Sequence, residues 1–134
     1  MKKIIIDTDP GVDDSIAILF AIASKLNVIG LTTVFGNSNI TNTTRNALTI
    51  LNILESKIPV YQGCTKPLFK SPILANSHGK NGLGGFVSKS LQRKKEKISA
   101  IQFLINTLEN NKNKSVDILC LGPTTNLAIL DIIR

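Results

Sequence analysis

The chain is 134 residues long, enough for one small domain or part of a larger one, and its 43% hydrophobic against 19% charged side chains can bury a core. The net charge of +7 would suit an acidic partner, but the excess is local: residues 57–114 carry eleven basic and two acidic side chains, and the flanking stretches are each net −1. Aromatics are 4% with no Trp, so the stacking platforms of single-stranded nucleic-acid binders are missing and nucleic acid is not an expected partner.

Lys3–Asp7 (KIIID) is a short β-branched run that predicts a strand buried on both faces. The two lysines before it and three apolar residues are too few for a signal peptide, and the longest apolar stretch, Ile16–Ala23, is too short for a membrane span. No membrane contact is expected, and the location read from this is cytoplasmic. Asp13–Lys25 is apolar nearly all round and predicts a buried helix with acidic residues in its first turn. Asn27–Val34 reads as a second strand, stopped by Phe35-Gly36-Asn37-Ser38. Over 41–55 the apolar residues Ala47, Leu48, Ile50, Leu51 and Leu54 recur at helical spacing. Ile58–Tyr61 is a third, short strand with Pro59 at its start.

Residues 62–97 differ. Pro67, Pro72, five glycines and most of the basic excess predict a long loop, the least ordered part of the chain. Cys64 within it reads as a plain surface thiol, and Arg93-Lys94-Lys95-Glu96-Lys97 as a solvated junction to the next helix. The helical pattern resumes over 98–111. Val116–Leu121 is a fourth strand in which Cys120 reads as a small buried hydrophobe. A turn at 122–125 leads into a helix from Asn126 to Arg134 that ends without a cap, so the chain reads as cut off. The two cysteines follow no metal or disulfide spacing.

Strands alternating with helices imply a single α/β domain over 1–134, an open, mostly parallel sheet flanked by helices and joined by right-handed crossovers. Such sheets bind ligands at the carboxyl ends of their strands. The sharpest feature lies there. Asp7-Thr8-Asp9-Pro10-Gly11-Val12-Asp13-Asp14 holds four carboxylates in eight residues with no Lys or Arg nearby. Like charges so close repel, and a hard divalent cation among them is the economical remedy, since Ca²⁺ and Mg²⁺ take clustered carboxylate and carbonyl oxygens. Simple turn and helix capping accounts for two of the four.

DTDPGVDD after a β-branched strand resembles the signature of the inosine–uridine preferring nucleoside hydrolases, which cleave the N-glycosidic bond of ribonucleosides. The resemblance continues, in register, through TTVFGN (32–37), Thr44-Arg45-Asn46-Ala47, PVYQGCTKPL (59–68), His78-Gly79 and LGPTTNLA (121–128). It implies the fold of that family, here apparently its N-terminal half, and the release of free base and ribose with Ca²⁺ as cofactor. By the same resemblance Asp9 is a Ca²⁺ ligand and the base that deprotonates the attacking water. Asp14 and the backbone carbonyl of Leu121 are further Ca²⁺ ligands. Asp13 accepts hydrogen bonds from the ribose hydroxyls, Asn37 faces the sugar, His78 lies near the nucleobase, and Asp7 supports the metal loop from behind. A ribonucleoside is the implied substrate, nucleoside salvage the implied setting, and a homo-oligomer, dimer or tetramer, the implied assembly.

The departure is length. Family members are considerably longer, and their second half adds a Ca²⁺-binding aspartate beside a histidine often assigned as general acid, and a Glu and an Asn that hold the ribose. None has a counterpart here, so the short chain is expected to be a truncated, weakly active or inactive form. Two other readings compete. One is a catalytically incomplete nucleoside- or cation-binding module, which a nucleosidase assay separates. The other is a haloacid-dehalogenase-like phosphohydrolase, whose first strand also ends in DxD but which uses Mg²⁺ and does not need the Asp13-Asp14 pair.

Overall fold

The computed structural model of the protein describes residues 1–75 and 77–133; Arg134, placed at the end of the expected last helix, and Asn76 of the expected loop lie outside the described residues. The elements run β1 (Lys3–Thr8), α1 (Val12–Ala23), β2 (Val28–Thr33), α2 (Ile40–Ile53), β3 (Val60–Gln62), α3 (Ala100–Glu109), β4 (Val116–Cys120) and α4 (Thr125–Ile133). The strands form one sheet in the order β3-β2-β1-β4, every pairing parallel. The expected open parallel α/β sheet is what forms.

β1 is an inner strand, and its adjacent isoleucines pack on opposite faces of the sheet. Ile6 points into a core made with Ile18 and Ala21 of α1 and with Ala47, Ile50 and Leu51 of α2. Ile5 points the other way, to Phe103 and Leu104 of α3 and Leu130 of α4. The first two crossover helices therefore cover one face and the last two the other. Tyr61 and Phe103 stack at a centroid separation of 3.8 Å above Gly30, where a Cβ would lie 2.7 Å from the Phe103 ring. Helix starts are fixed by side-chain caps: Asn39 accepts from the Asn42 N–H and Ser99 from the Gln102 N–H.

Two expectations change, and the long segment after β3, which among the described residues holds no helix or strand before α3, carries tethers that its composition does not show. α1 is not buried all round, because Val12, Ile16, Leu19 and Phe20 form an exposed stripe at helical spacing. On the same face of the sheet Leu119 of the edge strand β4 is also exposed. Cys120 is half-buried rather than buried, for the same reason: β4 has a neighbour on one side only among the described residues. Residues 62–97 are tethered. The Arg93 guanidinium donates to the carbonyls of Ser56 and Ile58, and the Glu96 N–H donates to the Val60 carbonyl at 2.8 Å. Arg93 thus closes the turn between α2 and β3, while Lys94, Lys95 and Lys97 stay exposed.

The core on the α1–α2 face should dominate stability. Leu51 is fully buried there, so Leu51→Ala should cost about 2–5 kcal/mol. Urea unfolding checks this: the midpoint should fall while the slope of free energy against urea is unchanged.

Candidate active site

The acidic segment straddles the carboxyl end of β1, and the strand runs one residue further than its pattern suggests, through Thr8. Asp7 still belongs to the strand and, like Ile5, faces α3 and α4, pairing across the sheet with Thr32 and Cys120. It is fully buried; its Oδ1 accepts from the Thr32 hydroxyl and from Asn126 Nδ2 at 2.7 Å. Among the described residues, its Oδ2 is the buried side-chain polar atom with no hydrogen-bond partner. Burial raises the Asp7 pKa, against which the Asn126 and Thr32 hydrogen bonds act.

Asp9 and Asp14, both buried, come together on the other side of the turn. Asn37, at the exit of β2, ties them. Its backbone N–H donates to Asp9 Oδ2 at 2.7 Å, and its Nδ2 donates to the Asp9 carbonyl at 2.9 Å and to Asp14 Oδ2 at 3.0 Å. Asp14 also accepts from the Thr8 hydroxyl at 3.0 Å and the Gly11 N–H at 3.1 Å, which anchors the start of α1. Gly11 must lack a side chain, since a Cβ would stand 2.7 Å from Asn37 Nδ2. Burial, followed by the charges of Asp14 and Asp13, pushes the Asp9 pKa up to about 6 although the Asn37 N–H opposes the shift.

Asp13 and His78 complete the rim. The Asp13 side chain is exposed, and one of its oxygens lies 3.5 Å from His78 Nε2. The loop carrying His78 is held by hydrogen bonds from the β2–α2 region. Ala75 N–H donates to the Gly36 carbonyl at 2.9 Å, and the Ser38 hydroxyl to the Lys80 carbonyl at 2.9 Å. Asn46 Nδ2, on α2, reaches both the Asn81 carbonyl at 2.7 Å and the Pro10 carbonyl at 3.0 Å. Asn46 is thus a joint between acidic turn and loop, a role that its place in Thr44-Arg45-Asn46-Ala47 did not reveal, since Thr43, Thr44 and Thr49 are buried on the same helix and a polar residue there is no distinct signal. Cys64 is likewise no plain surface thiol: its N–H donates to Asn126 Oδ1 at 2.9 Å, and burial raises its thiol pKa, as Asp7's charge does to a lesser degree.

Asp13, Asp14, Ala17 and Leu121 line a cavity of about 140 Å³ between the start of α1 and the exit of β4. A larger hollow, about 470 Å³, lies around Glu55, Lys57 and Arg93 at the far, amino end of the sheet, where Arg93 is already bound to carbonyls. The four carboxylates therefore do not converge: Asp7 is on the opposite face, Asp13 points out, and Asp9 and Asp14 remain. Among the described residues no three His, Cys, Asp or Glu side chains are grouped to hold a metal ion. Asp14 and Leu121 line this cavity and Asp9 lies against the neighbouring Gly122; their oxygens are hard donors that fit part of the six to eight oxygens Ca²⁺ takes. Two close carboxylates without a neighbouring Lys or Arg, one of them with a raised pKa, are what a cation would relieve.

Comparison with known proteins places the whole chain in one family. The family model of the inosine-uridine preferring nucleoside hydrolases matches residues 4–131. Uridine nucleosidase 1 of Arabidopsis thaliana is 47% identical over 132 residues, covering 96% of this chain and 39% of that protein. The pyrimidine-specific ribonucleoside hydrolase RihB of Escherichia coli is 37% identical over 130 residues, 96% of this chain and 41% of its own. Among solved structures, the purine-preferring ribonucleoside hydrolase from Gardnerella vaginalis superposes with a TM-score of 0.91 at 34% identity, covering 99% of this chain and 44% of that one. The chain thus spans about two fifths of the length of these relatives. The dehalogenase-like reading is set aside by the match.

Two measurements check the electrostatics. Because folding raises the Asp9 pKa, the folded chain holds that proton more tightly than the unfolded chain, whose carboxyl titrates near about 4. The contribution to stability is full below about 4 and is lost as pH rises through about 6. Unfolding midpoints in a chelator should fall between pH 4.5 and 7.5, and Asp9→Asn should flatten that fall. Asp7 uses a single oxygen as acceptor for both its partners. Asp7→Asn should therefore keep the fold with a loss of about 1–2 kcal/mol, while Asp7→Ala, which strands Asn126 and Thr32, should cost about 2–4 kcal/mol.

Proposed function

Since this chain belongs to the inosine-uridine preferring nucleoside hydrolase family, we propose that it supplies the catalytic acidic half of a Ca²⁺-dependent ribonucleoside hydrolase, which splits the N-glycosidic bond to give free base and ribose. The observation that carries this reading is the buried Asp9–Asp14 pair, bridged by Asn37, beside the cavity that Leu121 lines. Asp9, Asp14 and the Leu121 carbonyl would hold the cation. When bound, Ca²⁺ supplies a positioned and more acidic water.

Asp9 would be the carboxylate placed to take a proton from a water held there. Without a cation, burial and the charges of Asp14 and Asp13 make the Asp9 carboxylate a stronger base than an ordinary aspartate, and a bound cation would offset part of that shift. Asn37 fixes the base by two hydrogen bonds, one to its carboxylate and one to its own carbonyl, so the group is aimed before substrate arrives. Asp13, exposed at the rim, takes the ribose hydroxyls, and His78 beside it lies toward the nucleobase. The cluster of carboxylates favours the positive charge that develops on the ribose as the C1′–N bond breaks. The relatives named for uridine, pyrimidine and purine substrates support the ribonucleoside class rather than one base. A role in nucleoside salvage, a cytoplasmic location and a homo-oligomer, dimer or tetramer, belong to the same proposal; the exposed apolar stripe of α1 supports self-association.

The second reading, a nucleoside- or cation-binding module without full activity, is favoured by the size of the cavity. About 140 Å³ is well under the roughly 300–1,000 Å³ of typical small-molecule sites. Reducing-sugar and free-base release from inosine and uridine, measured with Ca²⁺ and with chelator, separates the two. On the hydrolase reading, release depends on Ca²⁺ and Asp9→Ala lowers it by at least a hundredfold. Calorimetric Ca²⁺ titration should show binding that Asp14→Asn weakens tenfold or more. Ca²⁺ binding without turnover would favour the module, and neither binding nor turnover would overturn both.

A further inference from the structure

We propose that Asn126 is a positioning residue for this site: its amide sets the Leu121–Thr124 turn at the distance from Asp9 that the candidate cation site requires. The inference rests on the hydrolase reading for its purpose and on geometry alone for its mechanism. Asn126 sits in the first turn of α4 and is fully buried. Its Nδ2 donates to Asp7 Oδ1 at 2.7 Å and to the Thr33 carbonyl at 3.0 Å, and its Oδ1 accepts from the Cys64 N–H at 2.9 Å. One side chain from the exit of β4 thereby touches the exits of β1, β2 and β3. Both amide protons are used.

The surrounding chain is built to admit it. A Cβ at Gly63 would stand 2.3 Å from Asn126 Oδ1 and 2.4 Å from the Thr33 carbonyl oxygen, so a bare backbone is required where the amide passes. The consequence for the site runs through Asp7. Its backbone carbonyl accepts from the Leu121 N–H at 2.8 Å, and its side chain accepts from Asn126, so the Leu121–Asn126 segment is pinned to one residue at both ends. The pinned segment then abuts Asp9. A Cβ at Gly122 would lie 2.4 Å from Asp9 Oδ1, and a Cβ at Gly36 would lie 3.0 Å from Pro123 Cδ. A displacement of a few tenths of an ångström in the turn therefore changes what faces the Asp9 carboxylate. An asparagine that only filled the core would need none of these matched clearances.

The test compares the full chain with Asn126→Ala, Asn126→Asp and Leu104→Ala; Leu104 is a fully buried apolar residue of the core on the same face. Amide hydrogen exchange at Leu121 and Cys64 is read relative to the core amide of Ile6, and Ca²⁺ affinity is read by calorimetry. Asn126→Ala should speed exchange at both amides at least tenfold beyond any change at Ile6, and weaken Ca²⁺ binding at least tenfold. Asn126→Asp keeps the acceptor for Cys64 and loses both donors, so Leu121 should open while Cys64 stays protected; it also serves if the alanine variant does not fold. Leu104→Ala should move all three amides alike and leave Ca²⁺ affinity within twofold. Equal shifts at Leu121, Cys64 and Ile6 in both Asn126 variants would overturn the proposal, as would Ca²⁺ affinity unchanged by them. If the unsubstituted chain takes up no Ca²⁺, the cation reading falls by itself and the exchange pattern alone decides the role of Asn126.

Discussion

The Asp9 carboxylate occupies space that neither neighbouring strand exit could share with a side chain. A Cβ on Gly36, leaving β2, would lie 2.0 Å from its Oδ2, and one on Gly122, leaving β4, would lie 2.4 Å from its Oδ1. At Gly36 the backbone adds a second demand, because its φ of +153° is a conformation side chains rarely adopt. Glycine on both sides is therefore the condition for a carboxylate to stand at the end of the central strand. Other features of the site follow from that placement. Asn37, next to Gly36, can reach Asp9 and Asp14 together, and Leu121, next to Gly122, comes to line the same cavity as Asp14.

Burying that carboxylate next to another carries a cost that hydrogen bonds meet in part. Desolvation and the charges of Asp14 and Asp13 weaken Asp9 as an acid, and the Asn37 N–H restores some of the loss. Asp14 distributes its charge over donors from Thr8, Gly11 and Asn37. Asp7 follows a different rule although it is only two residues away: buried among Thr32 and Asn126, it works as an acceptor that knits strand ends together. Carboxylates within a single eight-residue segment thus divide into a pair bridged by Asn37, an exposed Asp13 and a buried post at Asp7.

Much of this was legible in the residues. The strand and helix order followed from β-branched runs and 3.6-residue apolar spacing, because burial on a sheet face or a helix stripe leaves those periods in any sequence. The candidate residues Asp9, Asp13, Asp14, Asn37, His78 and Leu121 do gather at one sheet edge, since strand exits of a parallel sheet share an edge. The separate direction of Asp7 does not emerge from a reading of the four carboxylates as one cluster, although Asp7 already lies in the expected strand Lys3–Asp7 and alternation there puts it on the face of Ile5. The tethers of the long segment were equally invisible. Arg93 on the Ser56 and Ile58 carbonyls, and Asn46 on Pro10 and Asn81, join residues some 35 apart in the chain, and a local pattern holds no record of its distant partner.

The strand order explains why the site forms between β1 and β4 rather than elsewhere along the edge. With the order β3-β2-β1-β4, the first two crossovers carry the chain away from β1 in one direction, with α1 and α2 on one face. The third returns past β1 to the other side, with α3 and α4 on the opposite face. The loops leaving β1 and β4 therefore diverge to opposite faces and leave a crevice between them, the position where open α/β sheets bind their ligands. Asp9 and Asp14 enter that crevice from β1 and Leu121 from β4. Topology makes the gap, paired glycines admit a carboxylate to it, and Asn126, reaching back from α4 to the other three strand exits, keeps the gap from widening.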